Sequence, residues 1–194
     1  MSRCALVIRD ARPEDATDLL MLWGQDRRTA EVPAARPLEE ATRALAQMAA
    51  DADERLLVGL VDDRLVASLH LQRAPLSPLH TEAAVHTSYL HVHPDHRRRG
   101  YARALLDAAL SWAEEKDVSH ITAITNSTSR DTNRFLARLG LGTAATIRIA
   151  STAVMRRKLA PEVIRSPEAR RQLGRMLAQR RLVQRRALGE ATPE

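Results

Sequence analysis

The chain is predicted to fold as an α/β (α+β) domain, a mixed sheet with helices on both faces, followed by a basic amphipathic C-terminal helix. Two observations predict this. Short apolar runs alternate with helix-period segments in the order β-α-α-β-β-β-α-β-α-β-β. Within that order, Asp62-Asp63 between two apolar runs marks an antiparallel hairpin, and the strand–helix–strand stretch from Val85 to Thr125 marks a crossover between parallel strands.

Each element has a local reason. Leu6–Arg9 alternates weakly and reads as a strand. Pro13-Glu14-Asp15 opens a helix, with acidic groups where the macrodipole favours them, and Leu19, Leu20, Leu22 and Trp23 give that helix an apolar side. Residues 31–37 read as a loop. A second helix from about Pro37 sets Leu38, Ala41, Leu45 and Met48 on one face. Leu56–Val61, Leu65–Leu71 and Val85–Val92 read as strands, with a proline-containing loop over residues 74–82. After Gly100, Ala104, Leu105, Ala108, Ala109 and Trp112 keep a helical period. His120–Thr125 reads as a strand, and Ser129–Leu139 as a helix stopped by Gly140. Thr146–Ala150 and Ala153–Arg157 read as two last strands.

Composition narrows the class. The 194 residues fit one domain of ordinary size with an appendage, expected to divide as residues 1–160 and 161–194. Aromatics make up only 3%, so aliphatic side chains must build the core. A single cysteine, Cys4, excludes a cysteine-built zinc site or an intrachain disulfide. There is no apolar run of roughly 18 residues and no signal-peptide pattern, so the expectation is a cytoplasmic protein away from membranes. An Arg- and Ala-rich, Lys-poor composition points to a GC-rich bacterial source. The formal charge of +6 is concentrated at the end: residues 161–194 hold eight Arg and four Glu. That segment, started by Ser166-Pro167-Glu168, is expected to be a helix whose apolar stripe packs on the body or on a second copy in a homodimer. Nucleic-acid binding is disfavoured, because no aromatic residue follows Phe135 to stack on bases.

The segment that carries chemistry is LHVHPDHRRRGYARALL, Leu90–Leu106. A strand ends at Val92, a proline turn follows, and Arg97-x-x-Gly100-x-Ala102 leads into a helix. The first backbone N–H groups of such a helix have no intrahelical partner, and with the helix dipole they form an anion site shaped for a diphosphate. Gly100 permits close backbone approach, Ala102 keeps the next turn thin, and Arg97, Arg98 and Arg99 add attraction.

Over roughly residues 4–159 the sequence resembles the GCN5-related N-acetyltransferase (GNAT) superfamily, through Val92–Ala102 and the helix ending FLARLGL, Phe135–Leu141. The resemblance implies acetyl-CoA as co-substrate and direct transfer of acetyl to a primary amine in a ternary complex. It implies that the backbone of Leu90, His91 and Val92 pairs with the pantetheine arm like an added strand. The turn Arg97, Arg98, Arg99, Gly100, Tyr101, Ala102 and Arg103 would hold the pyrophosphate. The thioester would lie where the strand of Leu90 splays from that of Ile121–Thr125. Ser129 replaces an Asn that often contacts the cofactor arm, and Asn126 and Asn133 lie close enough to substitute.

For proton removal from the amine, His86 is the first candidate, at the place where histone-acetyltransferase-like members carry a Glu. Glu82 and His91 stand behind it. His86 and His91 are expected on opposite strand faces, which argues against a metal site. Many members carry a Tyr general acid where this chain has Leu136, so that role is unfilled here unless water or Ser129 serves or the thiolate leaves without help. The vacancy raises a second reading, a catalytically degenerate acyl-CoA- or partner-binding module. The acceptor would be lined by the helices of residues 13–50 and the loop Arg73–Glu82.

Overall fold

The computed structural model describes residues 5–24, 38–79, 81–126, 128–145, 147–148 and 150–159. Five strands form one sheet in the order β1-β2-β3-β4-β5: β1 Val7–Asp10, β2 Glu54–Val61, β3 Arg64–Pro75, β4 Ala83–Val92 and β5 His120–Ala123. The first four are antiparallel neighbours, and β5 runs parallel to β4. The mixed sheet expected from the sequence is therefore present. Asp62 and Asp63, with φ of 49° and 59°, close the β2–β3 hairpin in two residues, as primed turns do.

Strand alternation divides the core. On β2, Leu56 and Val58 face one side and pack with Leu19 of α1 (Ala16–Gly24) and Leu45 of α2 (Leu38–Ala50). Leu57 and Val61 face the other side, where α3 (Tyr101–Glu115) lays Leu105, Ala109, Trp112 and Ala113 over Leu69, Leu71 and Val85. Thus α1 and α2 cover one face and α3 the other. The fourth helix, α4 (Arg130–Arg138), buries Leu136 and ends in a Schellman motif. Leu141 N–H donates to Leu136 O, Gly140 N–H donates to Ala137 O, and Gly140 takes φ +90°.

The entry to α1 is fixed by a paired charge. Asp15 is buried and accepts from Arg9 Nη1 and Nη2 at 2.6 and 2.8 Å, and from the backbone N–H of Arg12 at 2.7 Å. A β1 side chain thereby anchors the helix that leads to Trp23.

The end of the described chain departs from the sequence reading. Neither Thr146–Ala150 nor Ala153–Arg157 is a strand among the described residues. Thr152–Leu159 is instead a helix, α5. The signal lies at Ser151, whose Oγ accepts from Val154 N–H at 3.3 Å in N-cap fashion, ahead of the good helix formers Met155, Arg156, Arg157 and Lys158. The chain forms two compact units that part between Ile147 and Arg148. The amphipathic helix expected from Ser166 lies outside the described residues. Among the described residues, no helix is long and apolar enough to cross a membrane.

The Arg9 guanidinium beside Asp15 holds its carboxyl below the usual carboxylate range, against the opposing effect of burial. A depressed carboxylate stabilises the fold fully above its unfolded pKa of about 3.9 and loses that contribution as pH falls through the folded value. Asp15→Asn should therefore cost about 1.5–3 kcal/mol at neutral pH, the range of a hydrogen bond to a charged group. The gap to wild type should narrow near pH 3, read from urea midpoints. A gap independent of pH would show that the charge is not what matters.

Candidate active site

The β4–β5 ladder is short. It joins Ala84–Thr87 to His120–Ala123, and one further bond runs from Ile124 N–H to Thr87 O at 2.8 Å. From Ser88 to Val92, β4 has no strand beside it on that edge among the described residues. The last joined rungs are tied by side chains as well. Thr87 Oγ1 donates to Thr122 O at 2.9 Å, and His86 Nδ1 lies 2.8 Å from Thr122 Oγ1. Beyond these rungs the two parallel strands are no longer paired among the described residues, which leaves a gap along the β4 edge.

At its mouth, β4 is bulged. Ser88 pairs with His70 and His91 with Ser68, so Tyr89 and Leu90 together oppose Leu69 alone. Tyr89 sits in the left-handed region at φ 51°, unusual for a bulky residue. Two contacts hold it there: Trp23 stacks on its ring at 4.8 Å, and Ser68 Oγ donates to its carbonyl at 3.3 Å while accepting from Trp23 Nε1 at 2.9 Å.

The bulge corrects one expectation. Val85 faces the α3 side, so His86 faces the α1 side. The extra residue at Tyr89 moves Leu90 and Val92 to the α3 side and brings His91 over beside Tyr89 and Trp23. His86 and His91 therefore share a face, because a bulge resets the two-residue period. Among the described residues, no group of three or more His, Cys, Asp or Glu is placed to hold a metal ion.

Beyond Val92, a 3-10 turn at Pro94–His96 leads to the basic run. Arg97 is held by its Nε donating to Val92 O at 3.3 Å, while Arg98 and Arg99 are exposed. Arg98 takes φ 60° and Gly100 φ 87°, and Gly100 stands at the N-cap of α3 with no side chain to cap it. The first helical bond is Ala104 N–H to Gly100 O, so the N–H groups of Tyr101, Ala102 and Arg103 precede the intrahelical ladder. A Cβ on Gly100 would project into open space, and the buried Nδ1 of His96, stacked on Tyr101, has no partner among the described residues. An uncapped helix start, a left-handed glycine, an orphaned donor-capable ring nitrogen and three guanidiniums fit an anion such as a diphosphate.

Asn126, Ser129 and Asn133 are brought together where β5 turns into α4. Asn133 Oδ1 accepts from Thr125 Oγ1 at 3.0 Å, its Nδ2 donates to Asn126 O at 3.4 Å, and Ser129 Oγ lies 2.8 Å from Thr132 Oγ1. Glu82 is set apart, at the opposite end of β4 from the bulge, where it pairs with His120 Nδ1 at 3.2 Å. His86 has both ring nitrogens engaged, its Nε2 reaching Pro75 O at 3.4 Å. Leu136, which the resemblance puts at the place of a Tyr, is buried.

Residues not singled out from the sequence also converge on the α1 face. Ser88, His70 and Glu54 come from three adjacent strands and touch in series. No sequence spacing marks them; only the sheet register does.

A fold and site of this kind define an acyl-CoA-dependent transferase. The family model of the GNAT acetyltransferases matches residues 19–141, more than half of the chain. The chain belongs to the GNAT acetyltransferase family, whose acyl donor is acetyl-CoA. Among solved structures, it is similar to a transcriptional regulator from Bacillus halodurans C-125, at 20% identity and TM-score 0.66 over 76% of this chain and 100% of that one. A ribosomal-protein-alanine N-acetyltransferase from Brucella melitensis biovar Abortus 2308 is 21% identical, with TM-score 0.58 over 76% and 99%. A predicted acetyltransferase from Clostridium acetobutylicum solved with acetyl-CoA is 15% identical, with TM-score 0.61 over 77% and 98%. At these identities the structural likeness speaks for the fold. No curated protein sequence matches the chain.

The strained arginine offers a separate test. Arg98→Gly relieves a left-handed side chain and should raise stability by about 0.5–1 kcal/mol, while removing a cation should weaken acetyl-CoA binding severalfold. Thermal melts and titration of one variant check both. A drop in Tm would show that the Arg98 conformation is not strained.

Proposed function

We propose that this chain is an N-acetyltransferase that passes acetyl directly from acetyl-CoA to a primary amine within a ternary complex. The observation that carries the reading is a continuous track: a β4 edge that, among the described residues, has no strand beside it from Ser88 to Val92 runs into the uncapped, glycine-started N-terminus of α3. In this proposal Leu90, His91 and Val92 offer backbone groups to the pantetheine amides. The turn from Arg97 to Arg103 holds the phosphates, and Asn126, Ser129 and Asn133 flank the arm from the β5–α4 side. The acetyl group then lies at the bulge, and the amine approaches from the face of Trp23 and Tyr89.

Of the proton acceptors expected from the sequence, His86 is proposed to fasten the base of the gap through Thr122, since both its ring nitrogens already serve hydrogen bonds. Glu82 takes no part in this proposal; it pairs with His120 away from the bulge. The amine is proposed to belong to a small molecule or to a protein. Occupation of the C-terminal Arg-rich segment by a second copy remains a proposal of the sequence alone.

Calorimetric titration of acetyl-CoA tests the reading. One saturable site is expected, with affinity reduced at least tenfold in Gly100→Glu, which puts a negative side chain into the anion cradle. Dephospho-CoA should bind more weakly than CoA if the arginines reach the 3′-phosphate. A folded protein that releases no heat with acetyl-CoA would refute the proposal.

A further inference from the structure

We propose that the amine is deprotonated through a Ser88–His70–Glu54 relay, with Ser88 as the group that touches the amine. This rests on the acetyltransferase reading above. His70 Nε2 lies 2.7 Å from Glu54 Oε1, and His70 Nδ1 lies 3.0 Å from Ser88 Oγ. An ionised carboxylate only accepts, so it fixes the proton of neutral His70 on Nε2. Nδ1 must then accept from the Ser88 hydroxyl. That leaves the lone pairs of Ser88 Oγ free to accept a proton from elsewhere.

Position supports the role. Ser88 is the first β4 residue beyond the rungs shared with β5, and it immediately precedes the bulge. It lies on the face of Tyr89 and Trp23, from which the amine is proposed to approach. The far end of the relay reaches water: Glu54 borders a surface cleft with Asp51, Arg55, Leu45 and Met48. The middle is shielded, with the His70 side chain only 17% exposed and the Tyr89 ring edge-on at 6.5 Å.

The comparison with His86 decides between two histidines. Both have Nδ1 beside a hydroxyl. His86 Nε2 faces a neutral carbonyl at 3.4 Å, whereas His70 Nε2 faces a carboxylate at 2.7 Å. Only the second arrangement stabilises an imidazolium, the role the carboxylate plays in hydrolase triads.

The chemistry balances as follows. One proton of the ammonium passes to Ser88 Oγ as the Ser88 hydroxyl proton passes to His70 Nδ1, and Glu54 stabilises the resulting imidazolium. The freed amine lone pair forms the C–N bond to the thioester carbon. The C–S bond then breaks with its electron pair on sulfur. A second proton leaves nitrogen and ends on the CoA thiolate. His70 returns its proton to solvent, so the products are amide, CoA thiol and one released proton.

The test measures thiol release for wild type and variants. The acceptors are water alone and a panel of amines: a polyamine, an amino sugar and a peptide with a free N-terminal alanine. Ser88→Ala should lower kcat about 100-fold, the usual scale of acid–base catalysis, with acetyl-CoA affinity by calorimetry unchanged. Ser88→Thr should recover much of it. His70→Gln should lower kcat similarly. Glu54→Gln should lower kcat with KM unchanged, because it removes the carboxylate that orients His70 and stabilises its imidazolium.

Two results overturn the relay while leaving the acetyltransferase reading intact. One is Ser88→Ala or His70→Gln within twofold of wild type. The other is Glu54→Gln with unchanged kcat. An acetyl ester on Ser88 by intact mass would make Ser88 a nucleophile and overturn both the relay and direct transfer. Protein that binds acetyl-CoA yet releases no thiol above background with any acceptor also overturns the relay. Loss of acetyl-CoA binding in wild type refutes the parent reading instead.

Discussion

Halfway along β4 the backbone turns left-handed at Tyr89, and most of the site follows from that residue. A bulky residue in this region costs of order 1–3 kcal/mol, so neighbouring structure must impose it. Here the imposition can be traced. Arg9 pairs with Asp15 and sets the start of α1. The helix delivers Trp23, which stacks on the Tyr89 ring and donates to Ser68 Oγ, and Ser68 in turn donates to the Tyr89 carbonyl. A surface-proximal ion pair thereby supports a strained turn on the far strand. The return is a β4 whose two ends differ: one joined to β5, the other with no strand beside it on that edge among the described residues, with Ser88, Tyr89 and His91 on one face.

The phosphate end shows the same economy of position. Arg98 and Gly100 both take positive φ within three residues, and the helix they introduce starts without a capping side chain. In a purely structural helix start, Ser, Thr or Asp would satisfy those N–H groups. Glycine leaves them open and takes the left-handed φ of 87° without strain. Stability is lost at the point where an anion can restore it, which ties acetyl-CoA binding to order in the turn.

The fold was largely legible because its signals are local. The 3.6-residue period of Leu105, Ala109 and Trp112 and the Asp62-Asp63 turn each act within a few residues. The basic glycine turn was legible for the same reason. What was not legible depends on register. Nothing in Ser88-Tyr89-Leu90 marks a bulge, since the left-handed residue is a tyrosine rather than a glycine, so counting by twos put His91 on the wrong face. Glu54, His70 and Ser88 are separated by 16 and 18 positions and meet only because three strands align. The final segment misled because β-like and helix-like residues alternate there, and the Ser151 cap decides.

The absent tyrosine is better understood once the two proton transfers are weighed against each other. An alkyl ammonium of lysine type has a pKa near 10.4, so freeing its lone pair at neutral pH costs roughly 4–5 kcal/mol. A thiol has a pKa near 8.5, so its departure as an unprotonated thiolate carries only about 2 kcal/mol. The larger demand falls on the acceptor side, where the sheet assembles Ser88, His70 and Glu54. The smaller one falls on the leaving-group side, where Leu136 fills the core and contributes apolar burial instead of a hydroxyl. On that arithmetic, loss of the acid is tolerable and loss of the base is not. The degenerate reading prompted by Leu136 therefore loses its premise: a missing acid on this side does not imply a missing reaction.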